Sequence, residues 1–225
     1  MMTLHGFAAS NYYNLVKHAL LYKELPFKEN LIYPSSEALS AISPAGKVPV
    51  LTTLDGLNIS ESSVICDFIE ETYPEIALYP ANASERATVR QIMKMAELYF
   101  ELPSRRLIPY AFTGTEAPES VKAEVRQVLA RGITGLNRLC QFSPWVAGEQ
   151  FTMADIYLYY VNTIVSAFGS SQLNWDVLAE VAGMKPWNDS MSQSAIAQKV
   201  EADRQANMPE FMQKVTAQIQ AANAV

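Results

Sequence analysis

Residues 45–68 read AGKVPVLTTLDGLNISESSVICDF, and the Asp55-Gly56 pair inside them constrains the fold more than any other feature of the chain. Asp-Gly between two short apolar runs is a reverse-turn signal, because such turns need positive φ that glycine adopts without steric cost. VPVLTTL (48–54) and LNI (57–59) are therefore expected to be antiparallel arms of a hairpin. Pro49 removes a ladder hydrogen bond from the first arm, which suits a sheet edge or a cis bend leading into a strand. In the second case Val48 presents its own N–H and C=O outward, and an extended peptide can pair with them main chain to main chain. A helix then begins at Ser60, with Glu61, Ser62 and Ser63 in its first turn and Val64, Ile65, Phe68 and Ile69 on one face.

Upstream, TLHGF (3–7) reads as a short strand. Leu15, Val16, Ala19 and Leu20 then recur at helical spacing, with Lys17, His18 and Lys23 on the other face. That helix opens around Ser10 and Asn11, both good N-cap types, and ends before Pro26. FKENLIY (27–33) supplies a second strand, and a helix long enough to cross over makes the pair a parallel βαβ unit. The order β-α-β, linker, β-β-α gives a mixed four-stranded sheet.

YPEIALYPANAS (73–84) carries two prolines and no periodicity, which places the linker between domains at 80–83, after a first domain of residues 1–79. Residues 84–225 read as helical throughout. Val89, Ile92, Met93, Ala96 and Phe100 mark one long helix that Pro103 should kink or end. Val121, Val125, Val128, Leu129, Leu136 and Leu139 mark another, and 153–168 is apolar nearly all round, as in a helix at the centre of a bundle. Thr152 and Asp155 form an acidic capping box at its start, flanked by Phe151 and Ile156 at the staple positions, so Asp155 is a structural carboxylate. The fold class is α/β followed by all-α.

A net charge of −6 without any basic block disfavours nucleic acid and anionic membranes as partners. The longest apolar stretch, Ile156 to Phe168, is too short to span a bilayer, and the N-terminal residues lack a signal-peptide pattern, so a cytoplasmic protein is expected. Cys66 and Cys140 are too few for a disulfide framework and read as small buried hydrophobes. His5 and His18 are separated by a strand and half a helix, so no metal is expected.

The helix start at 61–63 points to a ligand. Its free N–H groups and positive dipole end favour a carboxylate, and Glu61 beside them favours an ammonium. Together they describe an amino-acid head group, and with Val48 a small peptide.

The element order, with SPAGKVPVL (43–51), ISES (59–62) and FTMAD (151–155), resembles the cytosolic glutathione S-transferase family over nearly the whole chain. The resemblance implies a thioredoxin-like N-terminal domain and a C-terminal helical bundle. It implies glutathione as co-substrate, with Val48 and Pro49 at its cysteinyl backbone, Glu61 and Ser62 at its γ-glutamyl end, and Lys47 toward a carboxylate. In AASNYYNLVK (8–17), Ser10 stands where serine-type members carry the hydroxyl that stabilises the thiolate, with Asn11 as runner-up. Tyr12 and Tyr13 are walls of the substrate cleft or simply core. Tyr99, Glu101, Arg105 and Tyr110 are candidate borders of the hydrophobic substrate site. The expected activity is attack of the thiolate on an electrophilic carbon in detoxification, by a homodimer. The alternatives are glutathione-dependent isomerisation or peroxide reduction, and a non-catalytic binding or dimerisation module.

Overall fold

The computed structural model describes residues 1–223. By their contacts these fall into two compact units, one of residues 1–78 with 194–214, the other of 79–193 with the residues from 215 on.

In the first unit a four-stranded sheet has the order β2-β1-β3-β4, with β1 at Met2–Gly6, β2 at Phe27–Leu31, β3 at Val50–Thr52 and β4 at Asn58–Ser60. β1 and β2 are parallel, as the crossover requires, while β1–β3 and β3–β4 are antiparallel, so the sheet is mixed as expected. The hairpin closes where Thr53 N–H donates to Leu57 O at 2.9 Å, and Gly56 takes the positive φ of 89° that the turn needs.

Helix α1 (Asn11–Tyr22) buries Leu15, Val16, Ala19 and Leu20 completely. The one-sided pattern read from the sequence is incorrect in detail, because Lys17, His18 and Lys23 are buried too. Each ammonium is paired, as burial of a charge demands. Lys17 Nζ donates to Glu29 at 2.6 Å and to Asp203 at 2.7 Å; Lys23 Nζ donates to Glu70 at 2.7 Å and to the Ile76 carbonyl at 2.6 Å. A single turn, α2 (Glu37–Ser40), was not legible in advance. Its N-cap Ser36 accepts from Leu39 N–H, and Leu39 packs with Ile32 and Val50. In α3 (Ser62–Thr72), Ile65 and Ile69 are buried as expected, but Val64 is 52% exposed.

The second unit is helical: α4 (Ala83–Ala96), α5 (Leu102–Arg105), α6 (Ile108–Thr113), α7 (Glu119–Leu139), α8 (Met153–Ile164), α9 (Ser170–Leu173) and α10 (Met184–Ser192). Pro103 does act on the first of these. The chain widens into a π turn at Glu97–Glu101 before α5, relieving the conflict between a proline ring and the carbonyl four residues earlier. α7 crosses α4 and the π turn at Gly132, where a β-carbon would stand 2.6 Å from the Phe100 ring. α11 (Ala195–Asn223) begins in the first unit and ends in the second. Among the described residues no helix is long and apolar enough to cross a membrane.

α8 is buried along most of its length and begins with the capping box. Asp155 accepts from the N–H groups of Thr152 (2.9 Å) and Val146 (2.8 Å) and from the Trp187 indole (3.1 Å). Asp155→Ala strands these donors in the interior. A loss of about 2–4 kcal/mol is expected, read as a lower urea midpoint at unchanged slope. His18 generates a pH prediction. Burial lowers its pKa from 6.5 to about 4, so the folded state favours the neutral ring. A depressed histidine contributes stability that is complete above its unfolded value and is lost as pH falls from 6.5 toward 4. The unmutated protein should lose up to about 3 kcal/mol across that window, and His18→Leu should remove this limb of the urea-stability profile.

Candidate functional site

The sheet register gathers the candidate residues at one end. His5 pairs with Val50 and Val50 with Ser60, so Phe7, Val48 and Ser62, each two residues beyond these pairs, leave the sheet at the same end. β4 runs parallel to β1, so the helices that follow them, α1 and α3, both begin at this end. Two positive dipole ends and the main chain around Val48 thus share one region, at the carboxyl ends of the parallel strands where α/β sheets bind ligands.

The turn from β1 into α1 is tightly drawn. Gly6 has φ of 155° and lies under the Tyr13 ring, which a β-carbon there would meet at 2.4 Å. Ser10 is the N-cap of α1: its N–H donates to Phe7 O, its C=O accepts from Asn14 N–H, and its Oγ accepts from Tyr13 N–H at 3.4 Å. A hydroxyl accepting through oxygen keeps its proton to donate. Asn11 is buried at the first helical position. Tyr13 is core rather than cleft wall: its hydroxyl donates to Glu29 at 2.5 Å, and burial followed by that bond raises its pKa, so it stays protonated. Tyr12 is half-buried.

The loop before β3 is held by Ser43, whose Oγ donates to Lys47 O at 2.8 Å and accepts from Lys47 N–H at 3.0 Å. The Val48–Pro49 peptide is cis, and strand pairing starts only at Val50, so Val48 lies outside the ladder. Lys47 is exposed. At α3, Glu61 is the N-cap with φ of 66°, exposed and making no side-chain cap bond, while Ser62 behind it is buried. Arg105 and Tyr110 belong to the second unit, where Arg105 Nε donates to Glu101 Oε1 at 2.6 Å and Tyr110 is half-buried in α6. Cys66 is buried, and burial pushes its thiol up; Cys140 is pushed up to about 12 by burial and by Asp155. Neither is a thiolate at neutral pH.

Two residues of the region were not singled out from the sequence. Asn14 Nδ2 donates to Ala8 O at 2.8 Å, and Ala9 N–H donates to Asn207 Oδ1 at 3.0 Å. Asn14 lies inside a helix whose pattern was read only for apolar residues. Asn207 is 198 residues from Ala9 in a stretch without any motif.

Residues 4–77 match the family described as Glutathione S-transferase, N-terminal domain. A glutathione S-transferase of Pseudomonas putida strain F1 is 42% identical over 96% of this chain and 98% of its own length. A maleylacetoacetate isomerase of Dictyostelium discoideum is 28% identical, over 64% of this chain and 69% of its own length. A glutathione transferase of Phanerochaete chrysosporium, solved with oxidized glutathione, shares the fold with a TM-score of 0.78 at 18% identity, over 92% of this chain and 96% of that one.

Proposed function

We propose that this chain, which belongs to the glutathione S-transferase family, binds glutathione where the turn 7–10, Val48 and the start of α3 meet, and ionises its thiol for attack on a hydrophobic electrophile. The single observation that carries this reading is the register that pairs His5 with Val50 and Val50 with Ser60, so that the turn after β1, the loop before β3 and the start of α3 leave the sheet at one end. Residues 1–79 then carry the glutathione site, with 194–214 packed in the same unit, and the helical domain begins at 84 after the linker 80–83.

In this reading the cysteinyl backbone of glutathione pairs with Val48 beside Pro49. The γ-glutamyl carboxylate takes the Ser62 hydroxyl and the open amides of α3, and its ammonium takes Glu61. Lys47 serves a carboxylate from its exposed position. The sulfur then meets the start of α1. A free thiol has a pKa of about 8.5, and lowering it by about two units takes about 3 kcal/mol. The Ser10 O–H, polarised because its oxygen already accepts from Tyr13 N–H, and the dipole of α1 supply that together. The thiol proton leaves to solvent, and the ionised sulfur bonds to the electrophilic carbon as that carbon's bond to its leaving group, the halide of an aryl halide, breaks and releases it as an anion. Tyr12 remains a candidate for the electrophile's site, and Asn11 for the sulfur's second donor. We place the protein in the cytoplasm as a homodimer acting in detoxification.

Similarity to the isomerase favours a second reading, in which the same thiolate adds to an activated double bond and leaves again after rotation. Both readings need the ionised sulfur. They separate on whether sulfur stays bonded to the product.

Conjugation of an aryl halide tests the first. Ser10→Ala should lower kcat/KM at neutral pH about a hundredfold and move the basic rise of its pH profile upward, while glutathione affinity changes little. If the amide is the donor, Asn11→Ala shows that loss instead. Glu61→Gln should weaken glutathione about tenfold or more by calorimetry, with turnover at saturation nearly retained. Tight glutathione binding with no turnover of either substrate class would establish the non-catalytic module.

A further inference from the structure

We infer that Asn207, on α11, is a positioning residue for the sulfur-binding turn: it fixes residues 7–10 from outside and so sets where the Ser10 hydroxyl stands. This rests on the proposed function above.

The turn's backbone groups are held one by one. Phe7 O accepts from Ser10 N–H at 3.0 Å, within the turn itself, and Ala8 O accepts from Asn14 Nδ2 at 2.8 Å, from the helix that follows. Ala9 N–H differs, because its acceptor, Asn207 Oδ1 at 3.0 Å, comes from the far end of the chain. That bond decides which way the amide faces. With Oδ1 turned to Ala9, Nδ2 donates to the Tyr33 hydroxyl oxygen at 2.7 Å. Burial, with the charge of Glu210 nearby, raises the Tyr33 pKa, so the hydroxyl stays protonated while its oxygen accepts from the amide. Donors and acceptors therefore run in one direction from Ala9 through Asn207 to Tyr33, an arrangement in which each bond strengthens the next.

The aromatic rings set the same geometry. Phe7, which opens the turn, stacks on Tyr33 at 4.8 Å and on Phe211 at 5.3 Å between ring centroids. An amide held on both of its edges, beside rings that pack on the turn itself, has little freedom to follow a moving turn. A serine hydroxyl aimed at sulfur needs that rigidity, since stabilisation of a thiolate falls steeply as the donor swings off line. Without Asn207, Ala9 N–H loses its acceptor and the turn can relax into the space the sulfur needs.

The test is the pH titration of the thiolate ultraviolet absorbance of bound glutathione, run beside aryl halide kinetics. Asn207→Ala should raise the pKa of the bound thiol by about one unit and lower kcat at neutral pH about tenfold, with KM for glutathione moving less than about threefold. Tyr33→Phe keeps the ring stack and removes only the hydroxyl that anchors the amide, so it should move the pKa the same way by a smaller step. Asp203→Asn loosens the same helix at its Lys17 contact without touching the turn. It should lower thermal stability and leave the thiol pKa no higher. An Asp203→Asn protein that raises the pKa as far as Asn207→Ala does would reduce Asn207 to a docking contact and overturn the inference. So would an Asn207→Ala protein that ionises the thiol as well as the unmutated one. An unmutated protein that leaves the thiol at its solution pKa overturns the proposed function, and this inference with it.

Discussion

The Lys17 ammonium is 1% exposed, and much of the first unit follows from having to pair it. An uncompensated charge in that position would cost several kcal/mol, so carboxylates have to reach it from neighbouring elements. Glu29 comes from β2 and Asp203 from α11. Burial alone would push the Asp203 carboxyl up, but the hydrogen bonds from Lys17 and Lys199 prevail and hold it below its usual value. Pairing Lys17 in this way brings α11 against α1 at Asp203. Asn207 and Phe211 follow Asp203 at four-residue steps, on the same stripe of the helix, and meet Ala9 with Tyr33 and Phe7 respectively. One buried lysine thus ties down a helix encoded almost two hundred residues away. Asn207, a turn further on, separately joins that helix to the turn proposed to face the sulfur.

The sheet does the complementary work. Antiparallel pairing of β3 with both β1 and β4 makes register, rather than sequence distance, decide which residues are neighbours. The loop before β3, the turn after β1 and the start of α3 come from three separate stretches of the chain. They reach the same end of the sheet because β3 is antiparallel to both β1 and β4, in a hairpin that sets Leu51 opposite Ile59. A slip of one residue in that hairpin would turn the buried Leu51 to the other face of the sheet and carry Val48 away from Ser62.

These relations explain what the sequence could disclose. Signals confined to a few residues were legible: the Asp-Gly turn, the β-α-β order, and the Thr152–Asp155 capping box before a buried helix. Each is governed by backbone geometry or by a bond between near neighbours. The polar side of α1 was misread for the opposite reason. Lys17, His18 and Lys23 look like a solvated stripe until partners arrive from β2, from the end of α3 and from α11, and no local pattern announces such partners. Tyr13 could not be assigned to core or cleft because its hydroxyl bond to Glu29 crosses from α1 to β2. Val64 sits in an apolar helical pattern, yet it faces outward.

At the entrance to α3 a local cost coincides with the proposed site. α1, α4 and α8 are each closed by a side chain at their own N-terminal boundary: Ser10, Asn82 and Thr152. α3 is not. Glu61 stands at its N-cap in the left-handed region, at φ of 66°, where a non-glycine residue is strained by about 1 kcal/mol or more. A residue in the usual extended cap conformation would fold its oxygen back over the first turn and satisfy those amides itself. The left-handed conformation instead accompanies an exposed carboxylate that makes no cap bond, and the first-turn amides of α3 have no cap oxygen from it. Strain of this kind persists only where the surroundings hold it, and here β4 holds Ser60 in the ladder on one side while the buried Ser62 starts the helix on the other. The chain thus gives up a helix cap and accepts an unfavourable φ at the position where a ligand carrying both an ammonium and a carboxylate would recover them.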